Sequence, residues 1–269
     1  MEKIQNDEIA FLSRKILDLN KRLIESENAK SRFLSLIANE LNNPMTAILG
    51  MLPHLELAKA GLRKEIFSII MEEALLLDSR IQNLVAASEI ESGRLDMSYA
   101  LVDPQDLVYE AIEAFKYKIK EKKISVSVCN ELRKKIVSDP KKLYLIIKNI
   151  LGNACDYGLA DEIVNVDIKE NGSEMIIAII NKGKAPAVEY KPQIFTRFAY
   201  GPEGNHGLGL GLSIARELIE LLDGKIDYSN DETSVTFVVT LPIKMSLADS
   251  DAHGSNEFLF EPFDNAFEL

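Results

Sequence analysis

The sequence predicts an α+β protein, with long amphipathic helices in its first third and a layered mixture of strands and helices after them. Three observations predict it. Apolar residues recur at helical spacing up to about residue 91, and neither Gly nor Pro occurs before Pro44. After Gly93, short β-branched runs alternate with helical segments. Finally, a triple-glycine run leads directly into an apolar helix near residue 211.

The first helix starts with a seam of Ile9, Leu12, Ile16, Leu19 and Leu23. Its steps alternate three and four, the spacing that pairs a helix with a second copy of itself, so residues 1–30 read as a coiled-coil helix. The same helix continues through Phe33, Ile37 and Leu41, and Pro44 permits a kink by displacing the carbonyl one turn back. A second helix is expected from about residue 64 to 91, with Phe67, Ile70, Met71, Ala74, Leu77, Ile81 and Leu84 on one face. Lys59-Ala60-Gly61 is the expected turn, so residues 31–95 form an antiparallel hairpin. A lone hairpin cannot bury both apolar faces, whereas a homodimeric four-helix bundle can.

Beyond the hairpin, strands are expected at 124–128, 163–168, 175–180 and 234–241, and helices near 104–121, 140–157 and 211–223. A second domain is therefore expected over 96–243, followed by an acidic tail, 244–269, with no Lys or Arg after Lys244. In the tail Phe260, Phe263 and Phe267 fall at helical spacing. Such a stripe docks on a groove, or else the segment is a disordered acidic end; both readings stay open.

Composition excludes several function classes. A net charge of −11 argues against general nucleic-acid binding. No apolar run approaches the roughly 20 residues of a membrane helix, and the start has no signal or transit pattern, so no membrane insertion is expected. Cys129 and Cys155, and likewise His54, His206 and His253, lack metal spacing. A reducing, cytoplasmic location is the expectation.

The strongest local signal is Gly207-Leu208-Gly209-Leu210-Gly211 running into Ile214, Ala215, Leu218 and Ile219. Alternate glycines let the backbone approach a ligand, and exposed amides at the helix start attract an anion. Neither the dinucleotide fingerprint nor the P-loop fits, because no strand immediately precedes it and no Gly-Lys-Ser/Thr follows. Upstream, Asn149 and Asn153 lie four apart on one helix face, and amide oxygens suit Mg²⁺. Asn181-Lys182-Gly183 ends a strand, and Ile194-Phe195-Thr196-Arg197-Phe198 follows.

From about Arg32 to Pro242 the chain resembles the sensor histidine kinases of two-component systems, a branch of the GHKL ATPase superfamily. Asn149 and Asn153 match the N box, Asn181-Lys182-Gly183 the first glycine box, Phe195 and Phe198 the F box, and Gly207 to Gly211 the second glycine box. Ser88-Glu89-Ile90-Glu91-Ser92-Gly93-Arg94 resembles the family's exit from its helical hairpin. The resemblance implies an α/β-sandwich ATP-binding domain with ATP and Mg as cofactors, under a lid at about 184–210. It implies that Asn153 holds Mg²⁺, Asn181 reaches the adenine amine and Arg197 approaches the terminal phosphate. Asn149, Gly183, Gly207, Leu208, Gly209, Leu210 and Gly211 complete the implied ATP site.

The family's phosphoacceptor box H-E-L-x-x-P appears here as Asn39-Glu40-Leu41-Asn42-Asn43-Pro44. A carboxamide nitrogen shares its lone pair with the carbonyl and is a negligible nucleophile, so self-phosphorylation at the usual site is expected to be lost. Glu40 then reads as a solvated carboxylate or as the adjacent base. Asn43 reads as a pre-proline residue, or as the water-orienting amide of family members that dephosphorylate a response regulator. His54 reads as a surface or interface residue rather than a substitute acceptor. Asn181 replaces the usual aspartate, Ala185 a glycine, and Asp156 a phosphate-facing lysine, leaving Arg197 and Lys148 as cations for phosphate.

The expectation is a cytoplasmic, homodimeric, ATP-binding signalling protein acting as a regulator, as a response-regulator phosphatase, or as both. Its rivals are an active kinase that phosphorylates another protein or a non-standard residue, and an adaptor independent of ATP.

Overall fold

The computed structural model describes residues 2–94, 96–183, 193–195, 209–231 and 233–244, although many side chains of the first 36 residues lie outside the description. Helix α1 (Glu2–Leu57) is continuous through Pro44 and Pro53. Pro44 is buried, while Asn39 and Asn43 on the same helix are exposed. Of the heptad seam only the side chain of Ile16 is described, and it is exposed.

The connection to α2 (Ala60–Ser92) is tighter than expected. Gly61 lies inside the first turn of α2, and Arg63 donates its amide to the Lys59 carbonyl, so the break falls at residues 58 and 59. Gly93 ends α2 in the left-handed conformation, φ 65°, where glycine carries no Cβ penalty. The expected apolar face of α2 is only partly covered. Phe67 and Ile81 stay exposed, whereas Ile66, Ala86 and Ala87 are buried.

The second part is an α/β sandwich on a mixed five-stranded sheet. Its elements are β1 (Ala100–Val102), α3 (Pro104–Ala114), α4 (Lys116–Glu121), β2 (Ser125–Asn130), β3 (Ile136–Ser138), α5 (Pro140–Tyr157), β4 (Ile163–Asn171), β5 (Glu174–Lys182), α6 (Gly211–Leu221), β6 (Lys225–Asn230) and β7 (Ser234–Pro242). The sheet order is β2-β4-β5-β7-β6, with β2 and β4 parallel and the other pairs antiparallel. Strands β1 and β3 form a separate antiparallel pair. Strict alternation puts Met175, Ile177 and Ile179 of β5, and Val235, Phe237, Val239 and Leu241 of β7, into one core. Helix α3 packs on β2, α5 on β5 and α6 on β6, and neighbouring helices touch.

Two helices begin with the same dipeptide. Asp103-Pro104 and Asp139-Pro140 each place an acceptor at the cap and a ring at the first helical position, where the missing N–H costs nothing. The expected single helix over 104–121 is split at Phe115 into α3 and α4. Strands β1, β3 and β6 were not anticipated; the first two span three residues each, too short to show a period. Among the described residues, no helix is long and apolar enough to cross a membrane.

Candidate functional site

Helix α5 carries both N-box asparagines on one face, half-buried Asn153 one turn beyond Asn149, which is 9% exposed. The end of the glycine run lies beside them. A Cβ on Gly211 would meet Asn149 Oδ1 at 3.1 Å, so a side chain there would press on the amide. Gly209 has φ 61°, a conformation open to glycine. Helix α6 starts at Gly211, and among the described residues no side chain caps it. Its first-turn amides lack intrahelical partners and so favour an anion. Buried Ser213 turns away from that role, donating to the Leu210 carbonyl at 2.9 Å.

Asn181 lies at the C-terminal end of β5, 2% exposed. Among the described residues its amide makes one long contact, 3.4 Å, to the Lys182 carbonyl. Gly183 must be glycine, because a Cβ would fall inside contact distance of the Tyr157 carbonyl and 3.1 Å from Asn181 Nδ2. Phe195 stacks edge-on against Phe237 of β7, with centroids 6.4 Å apart, which anchors the start of the F box to the core. Arg197, Gly207, Leu208, Phe198, Ala185 and the histidines 206 and 253 lie outside the described residues, as does the tail after Lys244.

Three sequence expectations change. Lys148, expected to face phosphate, is 2% exposed and held by α2: its ammonium donates to Gln82 Oε1 at 3.0 Å and lies 3.5 Å from Asp78. Burial pulls this lysine below its ordinary pKa, opposed by the Asp78 carboxylate. Asp156, expected to bring bare negative charge toward phosphate, is ion-paired with Lys118 of α4. Lys122 also donates to the carbonyls of Cys155 and Asp156, at 2.9 and 2.6 Å, as a cation at the α5 C-terminus should. Glu40, expected solvated or free as a base, is half-buried against α2. Arg80 Nη2 lies 3.0 Å from its Oε2, and Arg80 also donates to the Glu40 backbone carbonyl.

Sequence reasoning missed one further contact. Asn83 and Asn149 exchange two side-chain hydrogen bonds, both 2.9 Å. Its sequence signal is faint: Gln82 and Asn83 are adjacent polar residues between the apolar Ile81 and Leu84. Cys155 is buried, which pushes its thiol up to about 12 and leaves it inert. Among the described residues, no three His, Cys, Asp or Glu side chains form a metal cluster.

Family models match both parts of the chain. Residues 29–93, which include Asn39, match the His Kinase A (phospho-acceptor) domain. Residues 138–245 match the histidine kinase-, DNA gyrase B- and HSP90-like ATPase domain. The chain thus matches the models of both domains, the phospho-acceptor domain first and the ATPase domain after it.

Sensor protein KdpD of Clostridium acetobutylicum is 26% identical over 231 residues, covering 81% of this chain and 26% of that protein. Sensor histidine kinase CssS of Bacillus subtilis is 24% identical over 241 residues, covering 88% of this chain and 52% of its own. The chain thus spans from about a quarter to about half the length of these curated relatives. The solved structure of histidine kinase ThkA in complex with response regulator protein TrrA matches with a TM-score of 0.53 and 22% identity, covering 79% of this chain and 61% of that one.

Proposed function

We propose that this chain is a homodimeric two-component signalling protein that binds Mg·ATP and cannot phosphorylate itself at the usual position. One observation carries the reading. In a region that matches the histidine-kinase-like ATPase domain, the amide of Asn149 and the uncapped α6 start at Gly211 converge on one spot. Asn39, in the region that matches the phospho-acceptor domain, would stand at the acceptor position. Asn153 would hold Mg²⁺ together with phosphate oxygens, a donor set of the hard kind this ion takes. Mg²⁺ would supply charge neutralisation of the phosphates. Asn181 would meet the adenine amine, and Arg197, with the Gly207 and Leu208 backbone, would meet the phosphates.

Exchanging a charged acceptor for Asn181 replaces a hydrogen bond of about 1.5–3 kcal/mol by one of about 0.5–1.5. That is roughly tenfold in affinity, so Mg·ATP is expected to bind at tens to hundreds of micromolar. The Lys118 partner of Asp156 offsets part of the charge penalty expected from the sequence.

Exposed Leu49, Leu52, Phe67 and Val85 support a second copy completing the bundle. Exposed Asn43, one turn past Asn39, supports dephosphorylation of a response regulator, since an accessible amide can orient a water. Calorimetry with Mg·ATP, followed by radiolabelled ATP and response regulators, tests the reading. Binding without self-labelling supports it. Label on a partner or another residue supports a kinase, and absence of binding supports the adaptor.

A further inference from the structure

Helix α2 presents Asp78, Gln82 and Asn83 toward α5 within little more than one turn, and they engage two consecutive α5 residues. Lys148 meets Gln82 and Asp78, and Asn149 meets Asn83 through a closed amide pair. Lys148 is 2% exposed, so these contacts replace water rather than supplement it. Ala86 and Ala87, one turn further along α2, are buried in the same core as α5 and α6, which fixes the helix against that surface. The Asn149 oxygen that accepts from Asn83 lies 3.1 Å from where a Cβ on Gly211 would stand, at the mouth of the uncapped helix.

We propose that Asp78, Gln82 and Asn83 form a latch that competes with nucleotide for Lys148 and Asn149. With the latch closed, the only donor and acceptor groups of the Asn149 amide are each engaged once, and the Lys148 charge is spent on Asp78. A nucleotide entering beside Gly211 takes the Asn149 amide and draws on the Lys148 charge, and α2 lets go. Nucleotide binding and hairpin docking thereby oppose each other, as linkage requires of two ligands for one set of groups. In a protein without a nucleophile at Asn39, the hairpin then reports the nucleotide by position rather than by phosphorylation. The inference rests on the nucleotide reading above.

Calorimetry with Mg·ATP on the unmodified chain, Asn83→Ala and Gln82→Ala tests it. Removing the amide pair is expected to tighten binding roughly five- to tenfold, and Gln82→Ala less. Gln82→Ala leaves the asparagine pair intact, so a folding defect in Asn83→Ala would not void the test. Hydrogen exchange supplies a second readout. Mg·ATP should speed exchange over residues 78–87 of the unmodified chain, opposite to the protection that a ligand ordinarily confers. Equal or weaker binding by both variants, or slower exchange over 78–87, overturns the latch and leaves the nucleotide reading standing. Absence of binding by all three proteins overturns both.

Discussion

Of the 33 residues of α2 three are buried, Ile66, Ala86 and Ala87, whereas of the 18 residues of α5 ten are. Both helices are amply apolar, so composition does not explain the contrast. Helix α5 lies between a sheet and two neighbouring helices, and every apolar position on it finds a partner within its own domain. Helix α2 has α1 along its length and meets the ATPase domain only in places, at α4 and at α6, which leaves Phe67, Ile69, Ile81 and Val85 exposed. The ATPase domain closes its core within one chain. The hairpin keeps apolar surface for something else, and its polar contacts with α5 fall at Asn149 and Lys148.

The experiment with the largest expected effect restores the hairpin's missing chemistry. Phosphoryl transfer needs a nucleophile in line with the γ-phosphate, and the protein contributes mainly position and charge. The unmodified chain given Mg·ATP should form no phosphohistidine, and Asn39→His should label in an acid-labile, base-stable manner. An unlabelled variant that still binds ATP would mean that the ATPase half is also disabled, or that Arg80 holds Glu40 out of reach. Label on His54, His206 or a serine of the unmodified chain would break the reading of Asn39.

Next comes the cost of an apolar truncation in the two regions. Ile147 is 1% exposed under the sheet, and Ile147→Ala should destabilise the ATPase domain by about 2–5 kcal/mol in urea unfolding. Leu49 is 60% exposed, and Leu49→Ala should leave that transition within about 0.5 kcal/mol while weakening self-association. Light scattering and sedimentation check the second half. Equal losses of stability would erase the distinction between the two regions.

A smaller effect, about 1–3 kcal/mol, is expected for Asp139→Ala, which removes the α5 cap. Burial alone would raise this carboxyl's pKa, but amides of Ser98 and Lys142 and the Lys142 ammonium outweigh it and hold the pKa low. The group binds fewer protons folded than unfolded. Its contribution is therefore present above the unfolded pKa of about 3.9 and disappears as pH falls through the lower folded value. Thermal melts from pH 7 down to pH 3 should converge for the two proteins, and a gap that persists in acid would contradict the linkage.

Much of the fold was legible because its signals are local. The glycine run before α6, the alternation in β5 and β7, and the two Asp-Pro starts each lie within a few residues. The candidate site was legible only where its parts lie on one element. Asn149 and Asn153 share a helix face, but nothing local to Lys148 says that its charge goes to Asp78, 70 positions earlier. Glu40 with Arg80, and Asp156 with Lys118, fail for the same reason, since each pairing is made by packing between elements. The split at Phe115 escaped because apolar spacing continues across it; the ring of Phe115 lies where a Cβ on Gly152 would be, 2.7 Å from that position.

The smallest expected effect is Lys148→Met, and it separates charge from packing at the contact between the two regions. Lys148 contributes a buried stem over Tyr144, its ammonium 5.7 Å from the ring centroid, and an ion pair with a half-exposed carboxylate. Burying an ammonium is costly, and its attraction to Asp78 returns only part of that cost because water still reaches the carboxylate. Methionine keeps most of the stem volume and removes the desolvation penalty, while Asp78 can rehydrate where it stands. Stability should therefore change by less than about 1 kcal/mol, in either direction. Gln82 loses its donor, so α2 should dock less tightly and exchange faster at 82–87 in the absence of nucleotide. A loss of several kcal/mol would show that the lysine's charge holds the ATPase core together, and that this seam is structural rather than a point where two separable regions meet.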